Sequence, residues 1–185
     1  MGVKGKPRHS IIGSNRINRY LHFSSKTRYM KNRIDKLIFQ FQNVFDGTPY
    51  YGDSIQSIIE LIPYESANNS INNGHTIAQI IEHMLAWRLL AIEHLKGNVH
   101  YDIELGSDND WTSLKITSQS EWIKLKQAFA QSHETLIELL KQKEDRWLSS
   151  KLEGKVFSYN FLLKGIIQHD IYHIGQVNLL KNLSA

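Results

Sequence analysis

The chain contains no cysteine. That excludes a disulfide framework, a thiolate zinc site and a cysteine nucleophile, and it fits a reducing, cytoplasmic setting. No stretch approaches the roughly 18 to 20 uncharged apolar residues of a membrane span. Glu82, His83, Arg88 and Glu93 interrupt one apolar patch, and Gln168, His169 and Asp170 interrupt another. Several catalytic signatures are also missing. There is no GxGxxG before a helix, no phosphate loop, no GxSxG and no HExxH. No pair of inward carboxylates stands out, and Glu82, Glu93, Glu134 and Glu138 read as solvated helix faces. The tryptophans at 87, 111, 122 and 147 read as core or loop anchors, because no basic residues interleave with them as in a single-strand groove.

Acid is absent from the start of the chain. Residues 1–33 hold nine of the 22 basic residues and none of the 18 acidic ones. Residues 34–185 therefore carry 13 basic against 18 acidic residues, a balance of −5, beneath a whole-chain charge of +4. A body of that charge argues against a nucleic-acid-binding domain, which needs a basic face of its own. Residues 1–29 are polar and basic with no apolar period, and are expected to form a disordered tail. Three roles compete for it: an arm for nucleic acid or an acidic surface, a transit-type leader, or an extension upstream of a true start near Met30. A secretory signal is not expected, because the segment has no apolar core.

What is present is helical periodicity. From about Tyr29, Met30, Ile34, Leu37, Ile38, Phe41, Val44 and Phe45 step by three and four, and Asp46-Gly47 with Pro49 ends the helix. Asp53 is expected to cap a short second helix that Pro63 stops. Thr76 and Gln79 form a capping-box pattern for a helix running to about Lys96. That helix is apolar over most of its circumference, which predicts a central position. Residues 98–117 form a long loop, either a functional lid or a covering flap. Ser118 and Glu121 open the next helix, and the last runs from about Tyr159 to Leu183. The expected fold is all-α, a four-helix bundle with one short extra helix, spanning residues 30–185.

Two histidines of the last helix, His169 and His173, are spaced i,i+4 in its apolar stripe. They lie about 40° apart around the axis and about 6 Å apart along it, so both rings can reach one ion. His83 occupies an inner position between Ile80 and Trp87 on the central helix. Three imidazoles suit Zn, Ni, Fe or Mn and leave a position for water or substrate. The competing reading is three separate core histidines, each hydrogen-bonded. His133 sits on an inner stripe and is the one credible substitute or neighbour, while His75 and His94 read as cap or surface residues. Gly165, four residues before His169, either opens room for a substrate or allows close helix packing. Tyr159 and Tyr172 could face a pocket or pack in the core, and Asp170 or Gln168 could orient a ligand imidazole.

The segments His75 to Arg88 (HTIAQIIEHMLAWR) and Gly165 to Gln176 (GIIQHDIYHIGQ) resemble the two signature helices of the DinB-like superfamily, the DNA-damage-inducible, YfiT-like metal-dependent proteins. The resemblance covers about residues 30–183. It implies a helical bundle, often a homodimer, with a divalent metal on His83, His169 and His173. It further implies a metal-dependent enzyme of hydrolase or thiol S-transferase type, the latter using a low-molecular-weight thiol, acting on a small-molecule substrate. A non-catalytic, stress-linked metal-binding or dimerising module is the alternative.

Overall fold

Asn32 opens the first helix: its side-chain oxygen takes the N–H of Asp35 at 2.7 Å, which supplies one of the orphan donors of the first turn. The computed structural model describes residues 32–183, so the basic segment 1–29 and Met30 lie outside the described residues. Helix α1 is Arg33–Phe45 and buries Ile34, Leu37, Phe41, Val44 and Phe45, one stripe at helical spacing. The Asp145 carboxylate, far along the chain, accepts from the N–H groups of Arg33 and Ile34 at 2.8 and 2.9 Å. Those bonds hold the Asp145 carboxyl below its ordinary range, the Arg33 N–H being the largest cause.

Helix α2 is Ile55–Glu60. Its cap is Ser54, whose hydroxyl accepts from Ser57 N; Asp53 stands one residue too early to do so. Helix α3, Ile77–Lys96, opens on a complete capping box of Thr76 and Gln79 and closes on Gly97 at φ 91°, a left-handed conformation that glycine adopts without a Cβ clash. Helix α4 is Gln119–Lys141, capped by the Ser118 hydroxyl. Only half of the expected box forms: the Ser118 hydroxyl accepts from Glu121 N, while the Glu121 carboxylate takes the N–H and hydroxyl of Thr117, one residue before the cap. Helix α5 is Tyr159–Leu183. Short 3₁₀ turns lie at Tyr64–Ser66 and Asp145–Ser149. Among the described residues there is no strand, only one isolated bridge between Lys151 and Ser158.

The four long helices form a ring in which α1 touches α4, α4 touches α3, α3 touches α5 and α5 touches α1, with α2 wedged against α1, α4 and α5. Helix α3 is thus not enclosed by helices on every side. Its apolar circumference is explained by the loop 98–117, which lies along it and is fastened there. Gln79 donates to Leu114 O, Thr112 bonds Glu82, and His94 bonds Tyr101 O at 2.9 Å. Asn68 pairs with Ile116 through both backbone groups. The loop is therefore an anchored flap. None of the described helices is long and apolar enough to cross a membrane.

The core is mostly aliphatic, with Phe41, Phe45, Trp122 and Phe129 among its buried aromatic residues, and a polar layer crosses it. Arg88 of α3 donates to Asp170 of α5 through Nε at 2.9 Å, and its Nη2 lies 2.8 Å from the same oxygen, with both side chains 1% exposed. The guanidinium lies over the rings of Phe129 and Phe45, at 4.3 and 5.0 Å. Buried His133 stacks on Phe45 at 3.9 Å in the same layer. Burial, followed by the Arg88 charge, pushes His133 down to about 3.

Candidate metal centre

His83 comes from the middle of α3, and His169 and His173 from consecutive turns of α5. One ring nitrogen from each lies within 4.8 Å of the other two, and His83 Nε2 is 2.8 Å from His169 Nε2. In a tetrahedral site with bonds of about 2.1 Å the ligand atoms stand about 3.4 Å apart, so these separations bracket what one ion needs.

The hydrogen bonds decide which lone pairs face inward. His83 Nδ1 meets two acceptors, the backbone oxygen of Asp110 at 2.8 Å and its carboxylate Oδ1 at 3.0 Å. It must therefore carry the proton, which leaves Nε2 bare in the neutral ring. His173 Nδ1 meets the Gln176 side-chain oxygen at 2.7 Å, so its Nε2 is bare by the same reasoning. His169 Nδ1 is buried and finds no partner among the described residues. Burial is the largest cause lowering all three histidines, and it takes His169 to about 3, with the neighbouring imidazoles adding to it. The trio is kept neutral, the state in which imidazole binds a cation.

Asp110 is the residue that helical periodicity could not reveal. It lies in the flap, where no period marks an inward side chain. Its Oδ1 accepts from Trp87 Nε1 at 2.9 Å and its Oδ2 from Gly106 N at 2.8 Å. A carboxylate fixed in this way and bonded to an imidazole sets the ring's tautomer and orientation. The two expected orienting residues do other things: Asp170 is held by Arg88, and Gln168 is exposed. Gln176, one turn past His173, fills that role for the third ring.

The remaining histidines separate clearly. His133 belongs to the Arg88 layer and not to the trio. His94 is 3% exposed and bonded to Tyr101 O, so it is a core residue and neither a cap nor a surface one. His75 is exposed and outside the trio, yet it stacks on Trp111 at 3.6 Å. Trp111 stacks equally on His83, at 3.8 Å and 7°. Trp111 is thus a platform for two imidazoles, contrary to the reading of it as a simple anchor.

In front of the trio is a cavity of about 650 Å³, walled mainly by apolar groups including Trp87, Trp111, Phe157, Leu162 and Ile166. Gly165 lines it, and a Cβ there would meet nothing within 4 Å. Close helix packing is therefore not why glycine stands there. Gly175 is exposed and equally free of neighbours. Tyr172 is on the cavity rim, whereas Tyr159 is in the core, stacked on Trp147 at 4.0 Å.

No curated protein and no solved structure matches the chain. The family model described as the DinB superfamily matches residues 53–177, which leaves α1 outside but takes in α2, all of α3 and α4, and all three histidines. With more than half of the chain matched, on an all-helical fold, the protein belongs to the DinB superfamily.

Proposed function

We propose that His83, His169 and His173 hold one divalent cation, and that the protein is a metal-dependent enzyme acting on a small molecule in the adjoining cavity. One observation carries the reading. Two of the three rings have their outer nitrogens committed as donors, to Asp110 and Gln176, so their bare nitrogens are directed into one space. As core histidines, His83 and His169 could satisfy each other across their 2.8 Å contact, but that pairing gives no reason for a third imidazole nitrogen, that of His173, beside them. A donor set of three neutral nitrogens suits Zn, Ni, Fe or Mn. The metal would supply a Lewis acid with an open position, able to make a bound water or thiol nucleophilic near neutral pH.

The chain's own residues bind, orient and exclude water. Asp110 and the Trp87 indole lock the His83 ring, and Trp111 covers its face. Asp110 is the one carboxylate among the described cavity-lining residues, and its oxygens are fully engaged. The nucleophile therefore comes from what binds the cation, a water or an added low-molecular-weight thiol, which gives hydrolysis or thiol transfer.

Metal analysis of the purified and reconstituted protein is the test. Bound metal in about one equivalent, lost on replacing any one of the three histidines by Ala, supports the reading. A second replacement should add little, because the site is already gone. Absence of metal after reconstitution with all four ions, with no effect of chelator on thermal stability, would sink it. Hydrolase and thiol-conjugation assays with and without chelator then separate the two reactions.

A further inference from the structure

We propose that the cavity takes a flat, aromatic molecule with a single anionic donor group, seated with its ring over Gly165 and its donor at the histidine end. This rests on the metal reading above.

The wall supplies the first argument. Trp111 lies parallel to both His75 and His83, within 12° of each, so the cavity has an ordered stack of flat rings along one side. Phe157 and Phe161 form a second pair across 5.4 Å. His75 and His83 cover the two faces of Trp111, so the stack offers a ligand ring its edges, and aromatic rings favour edge contact of this kind. The apolar character continues out of the cavity: Leu105 is 79% exposed, Phe161 65% and Tyr172 64%, and all three line it. Large apolar side chains left in water around the mouth of an apolar cavity mark a surface that a ligand covers. A volume of about 650 Å³ is that of a small-molecule site.

Charge supplies the second argument. Among the described lining residues there is no Lys and no Arg. Three neutral imidazoles leave a divalent ion with its full charge, and the Asp110 carboxylate beside them cancels one unit. One anionic group on the ligand balances the remainder. A second would be buried against an apolar wall without a partner, which is costly.

Gly165 supplies the third. Glycine weakens a helix interior, and neither a positive φ nor a close neighbour demands it here. It stands one turn before His169, with open cavity where a side chain would lie. Its lack of a side chain is what leaves room for a ring, and it is the residue that sets ligand width.

The proposal is tested by calorimetric titration of the full-length, zinc-loaded protein with acetate and 2-naphthoate, and of zinc-free protein with naphthalene-2-methanol. The expected result is 2-naphthoate binding more than tenfold tighter than acetate. In Gly165→Leu this advantage should disappear, while zinc content and acetate affinity stay as in the parent. Leu is a good helix former, so this variant should fold; unchanged thermal unfolding confirms it. Equal affinity for acetate and 2-naphthoate, or full retention of the advantage in Gly165→Leu, overturns the proposal. Should zinc fail to bind while nickel, iron or manganese does, the same titrations are run with that ion; should none of the four bind, the metal reading falls, and naphthalene-2-methanol still reports the aromatic cavity. Its binding to zinc-free protein, lost in Gly165→Leu, would uphold the ring site, and its failure to bind would overturn it.

Discussion

The Arg88–Asp170 pair is the buried feature whose perturbation has the largest expected effect on stability. Each side chain is 1% exposed, and one carboxylate oxygen takes two contacts, at 2.9 and 2.8 Å. Arg88 Nη1 and Asp170 Oδ1 have no hydrogen-bond partner among the described residues, so the pair is not fully compensated even when intact. Burial pushes the Asp170 carboxyl up, and the Arg88 charge pulls against it. Replacing one member strands the other in the core, at about 3–5 kcal/mol. Arg88→Met and Asp170→Leu should each lower the unfolding free energy by that amount. At about 2–4 °C per kcal/mol for a chain of this size, each melts about 6–20 °C early. The double variant removes both charges and fills the layer with apolar groups, so it should lie within about 2 kcal/mol of the parent. Part of that residue is the loss of guanidinium contact with Phe45 and Phe129, worth about 1–2 kcal/mol when desolvated. Urea unfolding of the four proteins measures the cycle. Additive single losses, with the double variant down by about 6–10 kcal/mol, would refute the reasoning. Metal content should be unchanged throughout, since Asp170 is bonded to Arg88 and not to the histidines. Its loss in Asp170→Leu without destabilisation would place that carboxylate in the metal centre.

Gly175→Ala, at an exposed and unobstructed mid-helix position, should raise stability by up to about 1 kcal/mol; an unchanged melting temperature would contradict the helix-propensity account. Asp110→Asn weakens the acceptor on His83 Nδ1 and should reduce metal affinity by about 10–100-fold, read by competition with a chromophoric chelator; parental affinity would remove Asp110 from the site. His133 titrates near 3 in the fold against an ordinary 6.5, so between those values the unfolded chain binds the extra proton. Its contribution is intact above about pH 6.5 and declines as pH falls toward 3, reaching a loss of about 2 kcal/mol by pH 5. His133→Phe should abolish that part of the acid sensitivity in urea unfolding at pH 7 and 5, and equal pH slopes in both proteins would count against it.

Local signals carried most of the helices. Thr76 and Gln79, the left-handed Gly97, and the three-and-four stepping of Ile34 to Phe45 act over one or two turns, so a linear reading can find them. The same holds for the inner placement of His83 and His173, because a stripe at 3.6-residue spacing fixes which side of a helix is buried. The period did not resolve the two faces of α5. His169 turns to the cavity and Asp170, one step of about 100° on, turns to Arg88 across the core. Nor could it place Asp110 and Trp111, which lie in a segment with no period and meet His83 across 27 and 28 positions of chain. The use of Gly165 depended on what stands opposite it, and that is empty space bounded by α3, the flap and α5. Spacing along one chain records the direction of a side chain from its own helix. What it meets there is decided by packing between segments, and that exists only in the folded molecule.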